Sequence, residues 1–299
     1  MRRYIAAWLG GILLAGCGLI GSDESAPERV RPSDGTGPVT VTTEGEPFRF
    51  AVLGDFGTGD DRQREVAERM CRWHERHPFE VVFTTGDNIY PDGDPDLFTE
   101  RFHEPYRCLF DRGVTFRAVV GNHDVMTNGG HPELGDPSFG MPDFNYVVRA
   151  AGMRFVMADS TRLDRSWLRR KVNRASGARA TVVVMHHPVL SAGTGHGSTP
   201  GFGDLQRMFR RAGVDLVLQG HDHVYTSTKK LRGVRYVVTG GGGASLVGCL
   251  PTAQTAVCAR RHHFLYGEAL DDSLLIRAVP REGGVFHRFR VPLASTDAI

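Results

Sequence analysis

The feature that most constrains the fold of this 299-residue chain is a set of five short polar clusters. Each cluster follows or closes an apolar run. In chain order they are Gly54-Asp55-Phe56-Gly57, Gly86-Asp87-Asn88-Ile89-Tyr90, Gly121-Asn122-His123-Asp124, Val183-Val184-Met185-His186-His187 and Gly220-His221-Asp222-His223. Glycine before a polar residue permits a sharp turn and a close approach to an ion. In an open α/β sheet, residues just beyond the carboxyl ends of strands converge on one crevice. The clusters can therefore meet in one site, although they span about 170 residues.

The segments between the clusters predict an α/β fold. Buried strands are expected at residues 50–53, 80–84, 115–120, 155–158, 180–185, 214–218 and 235–239. Val66, Met70 and Trp73 recur at helical spacing between the first two strands, which predicts a strand-helix-strand unit.

A second helix and a terminal hairpin complete the predicted elements. The helix is indicated by Leu205, Met208, Phe209 and Ala212, and Gly213 is its expected C-terminal stop. Residues 273–279 and 285–291 flank a glycine pair and predict a hairpin.

Taken singly, each cluster has an ordinary explanation. A Gly-Asp at a strand end is usually a turn, Asn122 can cap a helix, and His221 with His223 can face solvent. Five such clusters in this order, each at a strand end, favour a shared metal site instead.

The order of the clusters resembles that of the calcineurin-like metallophosphoesterases over about residues 48–245. Tyr90, three residues after Asp87, resembles the purple acid phosphatase branch specifically. That resemblance implies two sandwiched β-sheets flanked by helices, with a ferric ion beside a divalent Fe, Zn or Mn ion. It implies a ligand set of Asp55, Asp87, Tyr90 and His223 on the ferric ion, and of Asp87, Asn122, His186 and His221 on the divalent one.

The chemistry of these side chains supports the same partition. Carboxylates and a phenolate suit trivalent iron, whereas imidazoles and an amide oxygen suit a softer divalent metal. Asp87 can bridge the ions because a carboxylate has two oxygens, and His221 and His223 lie on one side of an extended chain. His187, next to His186, is an alternative ligand if the local turn differs.

The resemblance further implies a phosphatase that cleaves phosphate monoesters through in-line attack of a metal-bound hydroxide. His123 and His196 are the expected proton donors to the leaving alcohol, with Asp222 or a metal-bound water as the alternative. Two other functions stay open: a phosphodiesterase or nucleotide pyrophosphatase on the same scaffold, and a non-catalytic surface-binding lipoprotein. The phosphodiesterase relatives usually lack a tyrosine at the position of Tyr90.

The N-terminus predicts export and a lipid anchor. Residues 1–16 carry Arg2 and Arg3 before a short apolar run, which is typical of a signal peptide. Leu14-Ala15-Gly16-Cys17 resembles the lipobox of bacterial lipoproteins, so Cys17 is the expected lipidation site and the bacterial cell envelope the expected location. The polar residues 17–46 predict a flexible tether, and residues 47–299 the metallophosphoesterase domain.

Removal of residues 1–16 takes away two arginines and no acid, so the formal net charge falls from +2 to zero. Global charge therefore does not favour nucleic acid as a partner. The expected partners are a small phosphate ester and, through the lipid, a membrane; no obligate protein partner is inferred.

The four remaining cysteines are an even number, as in proteins of oxidising compartments. Cys249 and Cys258 flank a short loop and are expected to form a disulfide, which leaves Cys71 with Cys108. Three pairings are possible for four cysteines, and free buried thiols are the other alternative.

Overall fold

Two β-sheets form the centre of the fold in residues 39–41, 47–173 and 177–295, the part of the chain that the computed structural model describes. Strands are numbered in chain order. The first sheet has eight strands, in the spatial order β1 (Val39–Val41), β5 (Tyr146–Ala150), β6 (Met153–Ala158), β7 (Thr181–Met185), β8 (Leu216–Gln219), β10 (Arg235–Thr239), β9 (Tyr225–Thr228) and β11 (Thr255–Ala259). The second has six, in the order β14 (His287–Pro292), β13 (Ser273–Pro280), β12 (His263–Ala269), β2 (Arg49–Leu53), β3 (Val81–Thr84) and β4 (Thr115–Arg117).

Five α-helices accompany the sheets within the described ranges: α1 (Asp61–Arg76), α2 (Arg107–Phe110), α3 (His131–Gly135), α4 (Arg165–Val172) and α5 (Gly203–Ala212). Short 3₁₀ turns lie at Pro95–Leu97, Asn128–Gly130 and Pro137–Phe139, and a π-helical turn at Thr99–His103. The two-sheet α/β sandwich expected from the resemblance is confirmed.

A hydrophobic core joins the two sheets. Phe50 and Phe83 of the second sheet pack on Phe155 of the first, with ring centroids 5.2 and 4.3 Å apart. Residues alternate along the strands of the first sheet: Phe155 belongs to this inner core, whereas Val156 contacts the outer core that includes Leu168 and Phe209 of α4 and α5. The central strands of the first sheet are thus buried on both faces.

Strand direction places the polar clusters at one edge of each sheet. Strands β6, β7, β8 and β10 run parallel in the first sheet, and β2, β3 and β4 run parallel in the second. The carboxyl ends of neighbouring parallel strands lie at the same edge, so the residues that follow them are brought close together.

The predicted elements match these strands and helices with shifts at their ends. Helix α5 stops at Gly213, whose φ of 72° is left-handed, as the sequence indicates. The strand expected at residues 115–120 ends at Arg117, because the backbone N–H of Ala118 donates to Phe139 instead of to a neighbouring strand. The terminal hairpin is confirmed, with Ser273 opposite Pro292.

The expected tether needs a correction at residues 39–41. They form β1, which pairs in parallel with β5 at the edge of the eight-stranded sheet. The polar residues around them predict a flexible segment, but three residues of alternating polarity suffice to extend the sheet by one strand. The signal segment 1–16, Cys17 and the tether residues 17–38 and 42–46 lie outside the described residues.

Two disulfides link the cysteines as expected, Cys71 with Cys108 and Cys249 with Cys258. The first joins α1 to α2, and the second closes the loop between residues 249 and 258. Among the described helices, none has the length and apolar character needed to span a membrane.

Candidate metal centre

Three side chains of the site begin at strained turns. Asp55, Asp87 and His221 follow β2, β3 and β8, and their φ angles of 57°, 50° and 69° are in the left-handed region. Residues other than glycine rarely adopt this conformation, and it is concentrated at functional sites. The turns aim the three side chains into the space between the two sheet edges.

Two glycines in the clusters permit the close packing of this edge. A Cβ atom on Gly121 would lie 2.2 Å from Oδ1 of Asp87, and one on Gly220 would lie 2.5 Å from Oδ2 of Asp55. No larger residue fits at either position while the carboxylates stay in place.

One group of donor atoms gathers around Oδ1 of Asp87. Nε2 of His186 lies 3.4 Å from this oxygen, 3.1 Å from Oδ1 of Asn122 and 3.2 Å from Nδ1 of His221. His186 donates Nδ1–H to the carbonyl of Thr85 at 2.8 Å, which leaves the lone pair of Nε2 directed into the group. Asp87, His186 and His221 can together hold a metal ion.

A second group gathers around Oδ2 of Asp87. The hydroxyl of Tyr90 lies 3.1 Å from this oxygen and 3.1 Å from Nε2 of His223, which is 3.5 Å from Oδ1 of Asp55. His223 donates Nδ1–H to the carbonyl of Ser245 at 3.0 Å, so its Nε2 also offers a lone pair. Asp55, Asp87 and His223 form a second possible metal site.

The two groups share Asp87, which presents one oxygen to each. The structure thus brings together all seven side chains of the predicted ligand set, in two groups that share Asp87: Asp55, Asp87, Tyr90, Asn122, His186, His221 and His223. Each group draws residues from both sheets, because β2, β3 and β4 belong to one sheet and β7 and β8 to the other.

The electrostatics of the site favour cations. Burial, followed by the neighbouring carboxylate of Asp87, raises the pKa of Asp55 well above its ordinary value. Burial, with Asp55 and Asp87 next, also raises the pKa of Tyr90. Burial and then His186 lower the pKa of His221 to about 2. A positive ion among these groups relieves the repulsion of the carboxylates and binds the neutral imidazoles, so the donor set fits two metal ions.

The two expected proton donors, His123 and His196, both lie at the rim of the site. The ring of His123 is 4.5 Å from that of Tyr90, and its Nε2 lies 4.0 Å from Oδ2 of Asp87. The ring of His196 is exposed and stacks on His221 with centroids 4.0 Å apart.

Asp222 holds the loop that carries His196. Its carboxylate is fully buried and accepts hydrogen bonds from the backbone N–H of His196 at 2.6 Å, from that of Gly197 at 3.0 Å and from the hydroxyl of Ser191. These bonds use both oxygens to position the loop, which argues against Asp222 as an acid that meets the substrate.

His187 belongs to neither donor group and is held by Ser160. Its Nδ1 is 3.0 Å from the hydroxyl of Ser160, and its backbone N–H donates to the same oxygen at 2.9 Å. Burial, followed by His186, lowers the pKa of His187 to about 4. His186, and not the alternative His187, enters the site.

A buried acidic network lies beneath the site, and no sequence motif indicates it as a whole. Asp124 accepts hydrogen bonds from the backbone of Asn88, Ile89 and Gly121, and the side chain of Asn88 donates to Glu133 at 2.8 Å. Burial, followed by Asp87, raises the pKa of Asp124 to about 6. Asp124 stands in one of the five clusters, but Glu133 gave no signal because it lies on α3, outside every motif.

Comparison with known proteins agrees with this geometry. The family profile of the calcineurin-like phosphoesterases matches residues 48–225, more than half of the chain. The chain belongs to the calcineurin-like phosphoesterase family. The fold and the acid, amide and imidazole side chains at the strand ends agree with this family.

Several members of this family resemble the chain. Purple acid phosphatase 3 of Arabidopsis thaliana is 24% identical over 235 residues, which cover 65% of this chain and 63% of that relative. The matched part thus spans less than two thirds of the relative's length.

Two solved structures share the calcineurin-like phosphoesterase fold. Purple acid phosphatase PPD1 from yellow lupin (Lupinus luteus) has a TM-score of 0.66 at 19% identity, covering 87% of this chain and 55% of that one. GAP50, described as the anchor in the inner membrane complex of Plasmodium, has a TM-score of 0.71 at 17% identity, covering 84% and 90%. At these identities the two structures establish the fold alone.

Proposed function

We propose that the protein is an acid phosphatase of the purple type, which hydrolyses phosphate monoesters with a ferric ion and a divalent Fe, Zn or Mn ion. The observation that carries the proposal is the hydroxyl of Tyr90, 3.1 Å from both Oδ2 of Asp87 and Nε2 of His223. A phenolate beside two carboxylates is a donor set for trivalent iron.

Two metal ions at such a site supply Lewis acidity and lower the pKa of water. The residues that would hold such a centre are Asp55, Tyr90 and His223 on one side, Asn122, His186 and His221 on the other, and Asp87 between them. The backbone N–H of His123 donates to Oδ1 of Asp87 at 3.0 Å and that of His221 to Oδ1 of Asp55 at 2.9 Å, which orients both carboxylates.

Proton donation to the leaving alcohol is assigned to His123 and His196, the two histidines at the rim. Both are accessible from solvent, and neither is used in the two donor groups. Substitution of either by Ala should slow hydrolysis of alkyl phosphates far more than that of activated aryl phosphates, because only a poor leaving group needs the proton. Metal content should not change.

The test of the iron assignment is colour. Iron-loaded, oxidised protein should be pink to purple because of charge transfer from the Tyr90 phenolate to ferric iron, and Tyr90→Phe should lose this band. Tyr236→Phe is the matched control, since Tyr236 is buried in the outer core on β10 and takes part in neither donor group. Colour that persists in Tyr90→Phe, or never forms, contradicts the purple type.

Rates on a monoester and on a diester separate the proposal from its nearest alternative. A monoester preference supports the phosphatase, whereas a diester or nucleotide pyrophosphate preference assigns the scaffold to the other activity. Absence of hydrolysis with both metals bound would favour the third candidate, a non-catalytic binding lipoprotein.

We also propose that the protein acts outside the cytoplasm of a bacterial cell, anchored by a lipid on Cys17. The support is the sequence around Cys17 and the two disulfides, which are typical of oxidising compartments. Small phosphate esters of the surroundings are then its substrates.

A further inference from the structure

One surface of the protein carries many cations and a single acid. Helices α4 and α5 and residues 229–232 together contain ten Arg and Lys and a single acid, Asp204, whereas the whole chain has a formal net charge of only +2. We call this surface the basic face. Its cations are Arg165, Arg169, Arg170, Lys171, Arg207, Arg210, Arg211, Lys229, Lys230 and Arg232.

Two adjoining grooves cross the basic face. One, of about 630 Å³, lies between α4 and α5 and presents Arg169, Arg207 and Arg211. The other, of about 410 Å³, lies between α5 and residues 230–232 and presents Arg207, Arg210, Lys230 and Arg232. Arg207 lines both grooves, so the basic face is continuous.

The cations that line these grooves have no acidic partner among residues 39–41, 47–173 and 177–295. Asp204, the only acid among the described residues that line either groove, pairs with Arg165 at 3.2 Å. Helix α1 is different, because its exposed Arg64 and Arg72 pair with acids one turn away. Like charges that face one another without partners repel, so an anion bound here relieves a cost present in the free protein.

Helix dipoles explain only part of this arrangement. Arg169–Lys171 and Arg210 with Arg211 lie in the last turns of α4 and α5, where cations interact favourably with the carbonyl end of a helix. Arg207 is in the middle of α5, and Lys230 and Arg232 are in a turn between two strands, where no such benefit exists.

The topology puts the basic face away from the metal centre. Helix α5 leads into the amino end of β8, and residues 229–232 lead into the amino end of β10, which is parallel to β8. The metal-binding side chains follow the carboxyl ends of β7 and β8, at the opposite edge of the same sheet.

We propose that the basic face binds the anionic phospholipid headgroups of a membrane surface. An arginine guanidinium can donate two parallel hydrogen bonds to the oxygens of one phosphate. Each cation near an anionic surface strengthens binding on the order of fivefold. Because Arg207 lines both grooves, their cations form one continuous surface that fits an array of phosphates. Nucleic acid is less favoured, because Tyr236 in the second groove is only 2% exposed and offers no stacking surface. Bound in this way, the domain turns its metal centre toward the solution.

The experiment uses residues 18–299, which retain every described element and lack the apolar leader and Cys17. Co-sedimentation is measured with phosphatidylglycerol/phosphatidylethanolamine vesicles and with phosphatidylcholine vesicles. The variant is R207Q/R210Q/K230Q; the control, R72Q/R76Q/R288Q, removes the same charge from α1 and β14 of the other sheet. Thermal unfolding verifies that both variants are folded.

The protein is expected to bind the anionic vesicles only, with binding weakened by salt and reduced about 100-fold in R207Q/R210Q/K230Q. The control variant should bind like the unmodified protein. An equal loss of binding in both variants would show that net charge alone is responsible and would contradict a specific basic face. Equal binding to phosphatidylcholine and to anionic vesicles would show that binding does not depend on charge. Binding of inorganic polyphosphate without binding of vesicles would assign the basic face to a soluble polyanion and overturn the membrane proposal.

Discussion

Replacement of Asp222 by Asn tests how the loop with His196 is held. The carboxylate is buried and accepts the backbone N–H groups of His196 and Gly197 on different oxygens. Asn keeps one acceptor oxygen and turns an NH₂ group toward the other N–H, so at least one charge-assisted bond is lost, at about 1.5–3 kcal/mol. A free energy of about 1.36 kcal/mol corresponds to a tenfold change in rate. If the free energy of the lost bond is needed to hold His196 in place, turnover should fall about 10- to 100-fold.

The assay compares kcat on an alkyl phosphate with kcat on an activated aryl phosphate. If Asp222 acts by positioning His196, Asp222→Asn slows the alkyl ester selectively and adds nothing in a chain that already carries His196→Ala. Ser191→Ala is the control, since it removes the third donor but keeps the charged acceptor. If the double variant Asp222→Asn/His196→Ala is much slower than His196→Ala alone, or if Asp222→Asn loses metal, Asp222 does not act by positioning His196.

Three further changes test other parts of the structure. Asp87→Ala should lower the content of both metals, whereas Asn122→Ala should lower only one; atomic absorption measures this, and full retention in Asp87→Ala would exclude the bridge. Burial lowers the pKa of His263 to about 4, below the ordinary 6.5, so its contribution to stability is present above pH 6.5 and lost as pH falls toward 4. About 2 kcal/mol should disappear between pH 8 and pH 5 in urea unfolding, and His263→Gln should lack this part of the pH dependence. Cys17→Ala should remove the lipid attachment, seen as loss of radiolabelled palmitate, while phosphatase activity persists; label retained on the variant would place the lipid elsewhere.

The strand ends of the site were predictable because a turn next to a buried strand leaves a local signature. An apolar run followed by glycine and a polar residue marks Asp55, Asp87 and His221. This pattern is recognisable within a few consecutive residues, without knowledge of residues elsewhere in the chain. The helix that ends at Gly213 is local in the same way.

Features that depend on distant contacts gave no such signature. Strand β12 lies at the centre of the second sheet, between β13 and β2, yet it comes more than 200 residues after β2 in the chain. Glu133 joins Asn88 across 45 residues, and β1 is a strand only because β5 lies beside it. The hydrogen bonds that define these features are long-range, so single-sequence patterns do not reveal them.

Both metal sites take ligands from the two sheets, which has a mechanical consequence. Asp87 and Asn122 extend from one sheet and His186 and His221 from the other, so an ion bound by them ties the two layers as a crosslink does. Apolar side chains such as Phe83 and Phe155 also lie between the layers, but their contacts resist shear weakly because they are not directional. Binding of metal should therefore stiffen the whole sandwich. Amide hydrogen exchange should then become slower even in strands far from any metal ligand.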